Sequence, residues 1–291
     1  MTLHRFLHRV LLSALILFLA TFLTACEQTA VGNAPSTTVT IAGSTAMRPL
    51  LRELTAAFTD QHPNVVFDLL GGGSTLGERW AADGRVDIAA STLLVVDGEG
   101  GTTSANTLVR TPVGLDGIAV IVHPTTGVEA LTLLELHDLY TGKVIDWSAL
   151  GGAEGNVKLV SREAGSGTRR LFERRIMGDE PVSLTSVVMP TSAAVVNFVA
   201  ENPGAVGYVS RAFVRGLLDA DGEVTAPPVR VMAVDGALPS LATLGDQAYP
   251  LPQPLYLVTL GPPTGVLRQF TDFVLSPAGQ EIVARYHLPV R

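Results

Sequence analysis

The sequence predicts an α/β protein in which open, mostly parallel sheets are flanked by helices. From Val39 onward, short runs rich in β-branched residues alternate with segments whose apolar residues recur at helical spacing. The chain has 291 residues, about two domains at roughly 150 residues each. Hydrophobic residues make up 47% of it and charged residues 16%, so the chain can bury a sizeable core and is not disordered as a whole.

The first 25 residues predict a secretory signal peptide. A short basic start precedes an apolar run over 10–23, and the small pair Thr24-Ala25 stands directly before Cys26, the only cysteine. These residues resemble a bacterial lipobox, in which the cysteine is acylated and becomes the mature N-terminus, and 26–38 would then be a lipidated N-terminus and flexible tether. An uncleaved membrane anchor is the alternative, since the apolar run is only slightly shorter than the ~17 residues that span a bilayer. Both interpretations place the rest of the chain outside the cytoplasm.

The charge and the scattered metal-ligating residues exclude several classes of function. The formal net charge is −7, and Arg5 and Arg9 belong to a leader without acidic residues, so the rest of the chain carries −9. A nucleic-acid-binding protein should show a basic face, and none is predicted. A single cysteine excludes an internal disulfide framework and a cysteine-rich metal site, and the six histidines form no H-E-x-x-H pair. We therefore predict no cofactor, no metal and no nucleic-acid partner.

Periodicity places the elements in order along the chain. The first strand is followed by a helix whose apolar residues run from Met47 to Phe58 at helical spacing. A later helix is well delimited, because Thr132 and Glu135 predict a capping box and Gly142 ends it. Strands are predicted at 39–41, 65–70, 86–90, 118–122, 157–160, 205–209, 229–234 and 255–259.

Three strand-to-helix junctions carry the same chemistry. In open α/β sheets, ligands bind beyond the carboxyl ends of strands, where loops turn into helices. Each junction offers an anion glycine amides, hydroxyl groups and the positive end of a helix dipole. The third adds Arg162, whose planar fork can bind an oxyanion through two hydrogen bonds. The junctions are Gly43-Ser44-Thr45-Ala46, Gly71-Gly72-Gly73-Ser74-Thr75 and Arg162-Glu163-Ala164-Gly165-Ser166-Gly167-Thr168.

When each junction is taken alone, helix capping is the favoured explanation, because caps are far commoner than ligand sites. Ser and Thr are ordinary N-caps, and Thr75 with Glu78 would form a capping box. Three junctions with the same donors instead favour convergence on one anion. A serine nucleophile is not favoured, because the chain has no G-x-S-x-G elbow and no histidine in a recognisable triad context, so Ser166 would be a weak nucleophile. We therefore predict a binding protein and not an enzyme.

At these residues the chain resembles the PstS family, the periplasmic phosphate-binding proteins of ABC importers, over roughly 39–289. A lone Gly-Ser-Gly-Thr would be weak support, but nine segments occur in the expected order. They are 41–45 with 49–50, 71–75, 86–91, 115–120, 139–143 with 146–147, 161–162 with 165–168, 202–208, 249–251 with 254–256, and 276–280.

The resemblance implies a type II periplasmic-binding-protein fold. Two lobes, each an open mixed sheet flanked by helices, would be joined by a two-stranded hinge and close on the ligand. Lobe one would comprise 39–112 and 250–291, and lobe two would comprise 113–249. From lobe one the ligand would be held by Ser44, Thr45, the Ala46 amide and Ser74. From lobe two it would be held by Arg162, Ser166, the Gly167 amide and Thr168.

Thr92 departs from the family pattern. Many relatives place an aspartate there, whose carboxylate accepts the proton of hydrogen phosphate. A carboxylate only accepts hydrogen bonds, whereas the Thr92 hydroxyl can donate or accept, so we expect this protein to separate phosphate from sulfate less sharply. The alternative is that Asp87 or Glu163 serves as the acceptor.

The function implied by the resemblance is capture of inorganic phosphate and its delivery to the membrane permease of an ABC importer. The protein would be a monomer, held at a bacterial membrane by lipidated Cys26. Three alternatives remain: binding of another tetrahedral oxyanion such as sulfate, molybdate or tungstate, a non-transport phosphate sensor or scaffold, and a phosphoester hydrolase. The hydrolase would need a base or a metal that the sequence does not show.

Overall fold

The computed structural model describes residues 36–94, 107–218 and 228–290. The predicted signal peptide, Cys26 and residues 26–35 of the predicted tether lie outside these ranges. Within them, no helix combines the length and the apolar character that crossing a membrane requires.

Strands and helices alternate along most of the described chain. The strands are β1 (Thr37–Gly43), β2 (Val65–Gly72), β3 (Ile88–Ser91), β4 (Leu108–Val122), β5 (Ala130–Leu131), β6 (Lys158–Arg162), β7 (Val187–Met189), β8 (Ala205–Ser210), β9 (Arg230–Val231), β10 (Ala233–Val234), β11 (Pro252–Leu260) and β12 (Leu288–Pro289). The helices are α1 (Arg48–Gln61), α2 (Gly73–Ala82), α3 (Leu133–Thr141), α4 (Gly167–Phe172), α5 (Ser192–Glu201), α6 (Leu241–Gly245), α7 (Gly265–Leu275) and α8 (Pro277–Ala284). Single turns of 3₁₀-helix lie at Thr45–Met47, Pro124–Thr126, Trp147–Leu150, Arg211–Phe213 and Arg215–Leu217, and a π-helical turn at Glu173–Met177 extends α4.

The main sheet is mixed and has the strand order β2-β1-β3-β11-β4-β8-β6-β7. At one end β1 runs parallel to β2 and β3, and at the other end β6 runs parallel to β7 and β8. Between these parallel groups, β11 and β4 run antiparallel to each other and to their outer neighbours β3 and β8. We refer to the β1–β3 end as lobe one and to the β6–β8 end as lobe two.

Strand β4 connects the two lobes. Its residues 108–117 pair with β11, whereas 118–122 pair with β8 of lobe two. Where the pairing changes, Gly117 lies opposite Pro252 and the Ile118 N–H donates to the Leu251 carbonyl at 3.0 Å. Two adjacent chain segments therefore cross between the lobes. This confirms the predicted fold class, a two-lobed α/β protein with a two-stranded hinge.

Each lobe packs its own aromatic core. In lobe one, Leu50 and Phe58 lie on the buried face of α1, and the Phe58 ring meets the Phe270 ring of α7 at 5.4 Å between centroids. In lobe two, the Phe172 ring stacks on the Tyr208 ring at 3.9 Å. Burial raises the pKa of Tyr208 to about 12, so this residue contributes no charge to its surroundings near neutral pH.

The predicted capping box of α3 is confirmed. The Thr132 side chain accepts from the Glu135 N–H at 3.1 Å, and the Glu135 carboxylate accepts from the Thr132 N–H at 2.7 Å. Gly142 follows α3 with a φ of 82°, the left-handed conformation that glycine adopts without strain. The sequence signals at both ends of this helix were therefore sufficient to delimit it.

The capping box proposed for Thr75 and Glu78 is wrong. Helix α2 begins at Gly73, preceded by Gly72 with a φ of 107°, so Thr75 lies inside the first turn and does not cap it. Glu78 faces the sheet instead, where its carboxylate accepts from the Ser91 hydroxyl at 2.6 Å and pairs with Arg110 of β4. The ion pair and hydrogen bond inside the fold replace the local capping interaction.

Three strand predictions need correction. Strand β4 begins ten residues before the predicted 118–122. The prediction missed this first part because Pro112, which lies opposite Tyr256 at a register shift, and the glycines that follow it are typical of a loop in sequence. The segment predicted as one strand at 229–234 is two short strands with different partners, since β9 pairs with β4 and β10 pairs with β5. The short strands β5, β7 and β12 were not predicted at all.

Candidate functional site

Arg162, the last residue of β6, lies in a buried cluster between the lobes. Its side chain is 2% exposed. The Nη2 atom donates to Thr45 Oγ1 at 3.0 Å, and Nη1 donates to Ser192 Oγ at 2.9 Å. Thr45 follows β1 of lobe one, whereas Arg162 and Ser192 belong to lobe two. The guanidinium therefore joins the two lobes at the carboxyl ends of their strands.

Glu163 fixes the plane of this guanidinium. Arg162 Nε donates to Glu163 Oε2 at 2.8 Å and Nη2 donates to Oε1 at 2.9 Å, a bidentate pair. Together with the bonds to Thr45 and Ser192, four of the five guanidinium N–H groups are engaged. The second N–H of Nη1 has no partner among the described residues. Because an unsatisfied buried donor is costly, this N–H is suited to a ligand.

A second contact between the lobes involves Ser74, Thr92 and Gly167. Ser74 and Thr92 are fully buried in lobe one, with their hydroxyl oxygens 3.3 Å apart, and the Thr92 N–H donates to Ser74 Oγ at 3.1 Å. A Cβ added to Gly167 of lobe two would lie 2.3 Å from Thr92 Oγ1 and 2.7 Å from Ser74 Oγ. Only a glycine allows this loop to approach the two hydroxyl groups so closely.

Thr168 and Ser166 occupy the start of α4. The Thr168 hydroxyl is buried and has no hydrogen-bond partner within the described structure. Ser166 caps the helix, because its Oγ accepts from the Arg169 N–H at 3.2 Å. The capping interpretation thus holds for Ser166, although its hydroxyl proton can still be donated to a ligand. The unpartnered Thr168 hydroxyl is a further buried group that a ligand could satisfy.

The first two predicted junctions also take part. Ser44 and Ala46 lie on either side of Thr45 and are buried, and the Ser44 N–H donates to the Ala90 carbonyl at 2.8 Å. The second junction contacts the third through its backbone, since the Thr75 N–H donates to the Gly165 carbonyl at 3.1 Å. The three predicted junctions therefore meet on one loop, 162–168.

Of the two carboxylates named as alternative acceptors, only Glu163 lies at this site. Asp87 stands before the first residue of β3, at the opposite end of the strand from Thr92, and its carboxylate accepts from the Thr40 N–H at 2.7 Å. Among the residues that the structure describes, no group of three His, Cys, Asp or Glu side chains is arranged to hold a metal ion. The chemistry of the site is that of hydroxyl groups, backbone amides and one paired guanidinium.

Ser192 is the site residue that sequence reasoning missed. It opens α5 directly after β7, so it belongs to a fourth strand-to-helix junction. Its backbone N–H donates to Thr45 Oγ1 at 3.4 Å, in addition to the bond from Arg162 to its hydroxyl. The available signal was Thr191-Ser192 after Met189-Pro190, a hydroxyl pair before an apolar helix but without the glycines of the other junctions.

Comparison with known proteins agrees with this architecture. A PBP superfamily domain matches residues 28–278. The phosphate-binding protein PstS of Bacillus subtilis is 31% identical over 242 residues, which cover 83% of this chain and 76% of that protein.

Two solved structures extend the similarity. One is a Clostridium perfringens protein assigned as a phosphate ABC transporter substrate-binding protein and solved with bound phosphate. It is 29% identical with a TM-score of 0.78, and the match covers 88% of this chain and 100% of that one. The other is an ABC-type phosphate transport receptor from Vibrio cholerae, 26% identical with a TM-score of 0.67, covering 87% of this chain and 100% of that chain.

Proposed function

This chain belongs to the PstS family of phosphate-binding proteins, within the PBP superfamily, and from that premise we propose that it captures inorganic phosphate between its lobes for delivery to an ABC importer. The observation that carries the proposal is the buried contact between Arg162 and Thr45, which brings a guanidinium of one lobe to a hydroxyl of the other. The Thr168 hydroxyl group also supports the proposal, because it is buried and lacks a hydrogen-bond partner within the described structure.

An acidic protein can hold an anion when recognition is local. The charge of −9 outside the leader repels phosphate at long range, but physiological salt screens that repulsion over about 8 Å. Charge-assisted hydrogen bonds contribute about 1.5–3 kcal/mol each. Roughly six of them are enough for micromolar or tighter affinity after the costs of ordering. We assign them to the hydroxyl groups, amides and guanidinium at the three junctions.

The proposal extends to the surroundings of the protein. We infer a monomer that is lipidated at Cys26, held outside the cytoplasm, and partnered by a membrane permease. Lobe one would comprise 39–112 and 250–291, and lobe two 113–249, with the hinge between them. The protein would bind without chemical turnover. Loss of phosphate-dependent uptake on gene deletion would distinguish import from a sensing or scaffolding role.

A thermal-shift panel of phosphate, sulfate, arsenate, molybdate and tungstate tests the proposed ligand. A ligand that binds the folded state but not the unfolded state stabilises the protein by about 2.7 kcal/mol when its free concentration is 100 times its Kd. We expect phosphate and arsenate to give the largest increases in melting temperature. Calorimetry then measures the affinity for phosphate directly. A larger shift with molybdate or tungstate would reassign the ligand, and no shift with any anion would contradict the proposal.

Replacing Thr92 with aspartate should sharpen the selection of phosphate over sulfate. The added carboxylate can accept the proton of hydrogen phosphate, but it repels sulfate in a desolvated site, so we expect sulfate affinity to fall about 100-fold or more. Competition titrations at fixed pH measure the ratio, and Thr92→Ser is the control because it keeps the hydroxyl group. If the wild-type protein already excludes sulfate strongly, the role assigned to Thr92 is wrong and Glu163 becomes the acceptor to test.

Replacing Gly167 with alanine should weaken phosphate binding by roughly 10-fold to 100-fold, the cost of overpacking a tight contact. The new Cβ would collide with the hydroxyl groups of Thr92 and Ser74 in the described arrangement of the lobes, and we expect separation of the lobes to relieve the collision. Calorimetry measures the affinity, and the melting temperature without ligand should stay near that of the wild type. Gly245→Ala is the matched control, since its Cβ would meet nothing nearer than 3.8 Å. Unchanged affinity in Gly167→Ala would show that the ligand does not need this close approach.

A further inference from the structure

Ser192 contacts the key donors of both lobes at once. It is fully buried at the first residue of α5. Its Oγ accepts from Arg162 Nη1 at 2.9 Å, and its backbone N–H donates to Thr45 Oγ1 at 3.4 Å across the gap between the lobes. Among the described residues, Arg162 and Ser192 are the two whose groups donate to this Thr45 oxygen.

These contacts determine which way the Thr45 hydroxyl points. A hydroxyl oxygen has two acceptor sites and one proton. Arg162 Nη2 and the Ser192 N–H occupy both acceptor sites of Thr45 Oγ1, so its own proton is left to be donated. The deprotonated oxygens of an oxyanion only accept hydrogen bonds, so a hydroxyl group oriented as a donor matches them. Ser192 would thus act on a bound anion through Thr45 and Arg162.

The other side of the guanidinium also depends on Ser192. Glu163 grips Arg162 along the edge formed by Nε and Nη2, whereas Ser192 Oγ receives the bond from Nη1. Nη1 is also the atom whose second N–H has no partner among the described residues. Fixing one hydrogen of Nη1 aims the other, because the guanidinium is planar.

We propose that Ser192 is a positioning residue for the anion, holding the Arg162 fork in the plane that the ligand needs and bridging to Thr45 of the opposite lobe. The inference rests on the proposed function and adds a fourth junction, β7 to α5, to the three that the sequence predicts. It assigns the short edge strand β7 a role, because pairing of Arg162 with Met189 sets where α5 begins.

The test compares phosphate affinity in Ser192→Ala, Ser192→Thr and Thr191→Ala by calorimetry. Ser192→Ala removes the acceptor of a charge-assisted bond, so we expect affinity to fall about 10-fold to 100-fold. Ser192→Thr keeps the hydroxyl group and should stay within about threefold of the wild type. Thr191→Ala is the matched control. The Thr191 side chain caps the same helix by accepting from the Ala194 N–H at 3.1 Å, and it has no hydrogen bond to Arg162 or Thr45 among the described residues. The phosphate affinity of this variant should be unchanged.

The outcomes separate this inference from the proposed function. A wild-type protein that fails to bind phosphate overturns the proposed function itself. If the wild type binds phosphate and Ser192→Ala binds equally well, only the role of Ser192 is overturned. An equal loss in Ser192→Ala and Thr191→Ala would show a merely structural contribution of α5. A loss in Ser192→Thr as deep as in Ser192→Ala would show that side-chain volume, not the hydrogen bond, matters.

Discussion

Arg162→Ala is expected to weaken phosphate binding by about 1,000-fold, because it removes the guanidinium charge and the charge-assisted hydrogen bond, worth roughly 1.5–3 kcal/mol, that the remaining N–H of Nη1 can donate to the anion. The substitution also leaves the Glu163 carboxylate without its partner beside the proposed anion site, since both of its oxygens pair with Arg162 in the wild type. Calorimetry at fixed pH and salt measures the change. The phosphate affinity of Arg162→Lys should lie between those of the wild type and Arg162→Ala, because lysine keeps the positive charge but lacks the planar fork of the guanidinium.

Two further variants make this result specific. Arg170→Ala removes an exposed guanidinium from α4, eight residues along the same segment, and should leave affinity nearly unchanged. Adding Glu163→Gln to Arg162→Ala should recover part of the lost affinity, because it removes the repulsion of an unpaired carboxylate. Phosphate binding as tight in Arg162→Ala as in the wild type would move the site elsewhere.

Three of the four junctions at the site could be predicted because their chemistry is local. Glycine, serine and threonine directly after a β-branched run, or an arginine at its end, mark a loop that can face a ligand whatever the neighbouring strands are. The fourth junction gave no such signal. Strand β7 has three residues at the edge of the sheet, with Val187 and Val188 38% and 54% exposed, so no alternation of buried and exposed positions identifies it. The contact of Ser192 with Arg162 depends on the pairing of β6 with β7, which sequence periodicity does not specify.

The polar residues that meet at the hinge could not be predicted, for a related reason. Asp116-Gly117 resembles a turn in sequence. No sequence pattern around Gln253 or His287 indicates that either residue contacts Asp116. The antiparallel register of β4 and β11 places Gln253 opposite Asp116, and the chain before β12 brings His287 to the same point. All three side chains are fully buried. A polar cluster assembled from segments more than 130 residues apart in sequence is visible only once the sheet is formed.

Asp116→Ala is expected to destabilise the protein by about 3–5 kcal/mol, because it removes the acceptor shared by several buried polar groups, and each buried donor left unsatisfied costs about 1–3 kcal/mol. The carboxylate accepts from the Gly117 N–H at 2.8 Å and from Gln253 Nε2 at 3.3 Å, and it lies 3.1 Å from His287 Nδ1. Its loss strands those buried polar groups without an acceptor. For a chain of this size the melting temperature without ligand should drop by roughly 6–20 °C. Differential scanning calorimetry measures the shift.

Asp116→Asn distinguishes the loss of an acceptor from the loss of a charge. The asparagine oxygen can still accept from the Gly117 N–H, and its amide can donate to Gln253 Oε1, a buried oxygen with no partner among the described residues. We therefore expect Asp116→Asn to lose much less stability than Asp116→Ala. Asp272→Ala is the surface control, since its side chain is 67% exposed and its ion pair with Arg268 adds little. Because Asp116 touches none of the proposed ligand-binding residues, phosphate affinity of the folded variants should stay within a few-fold of the wild type. A melting temperature unchanged in Asp116→Ala would mean that water or a shifted side chain satisfies the hinge, and the buried cluster would then not determine the stability of the connection between the lobes.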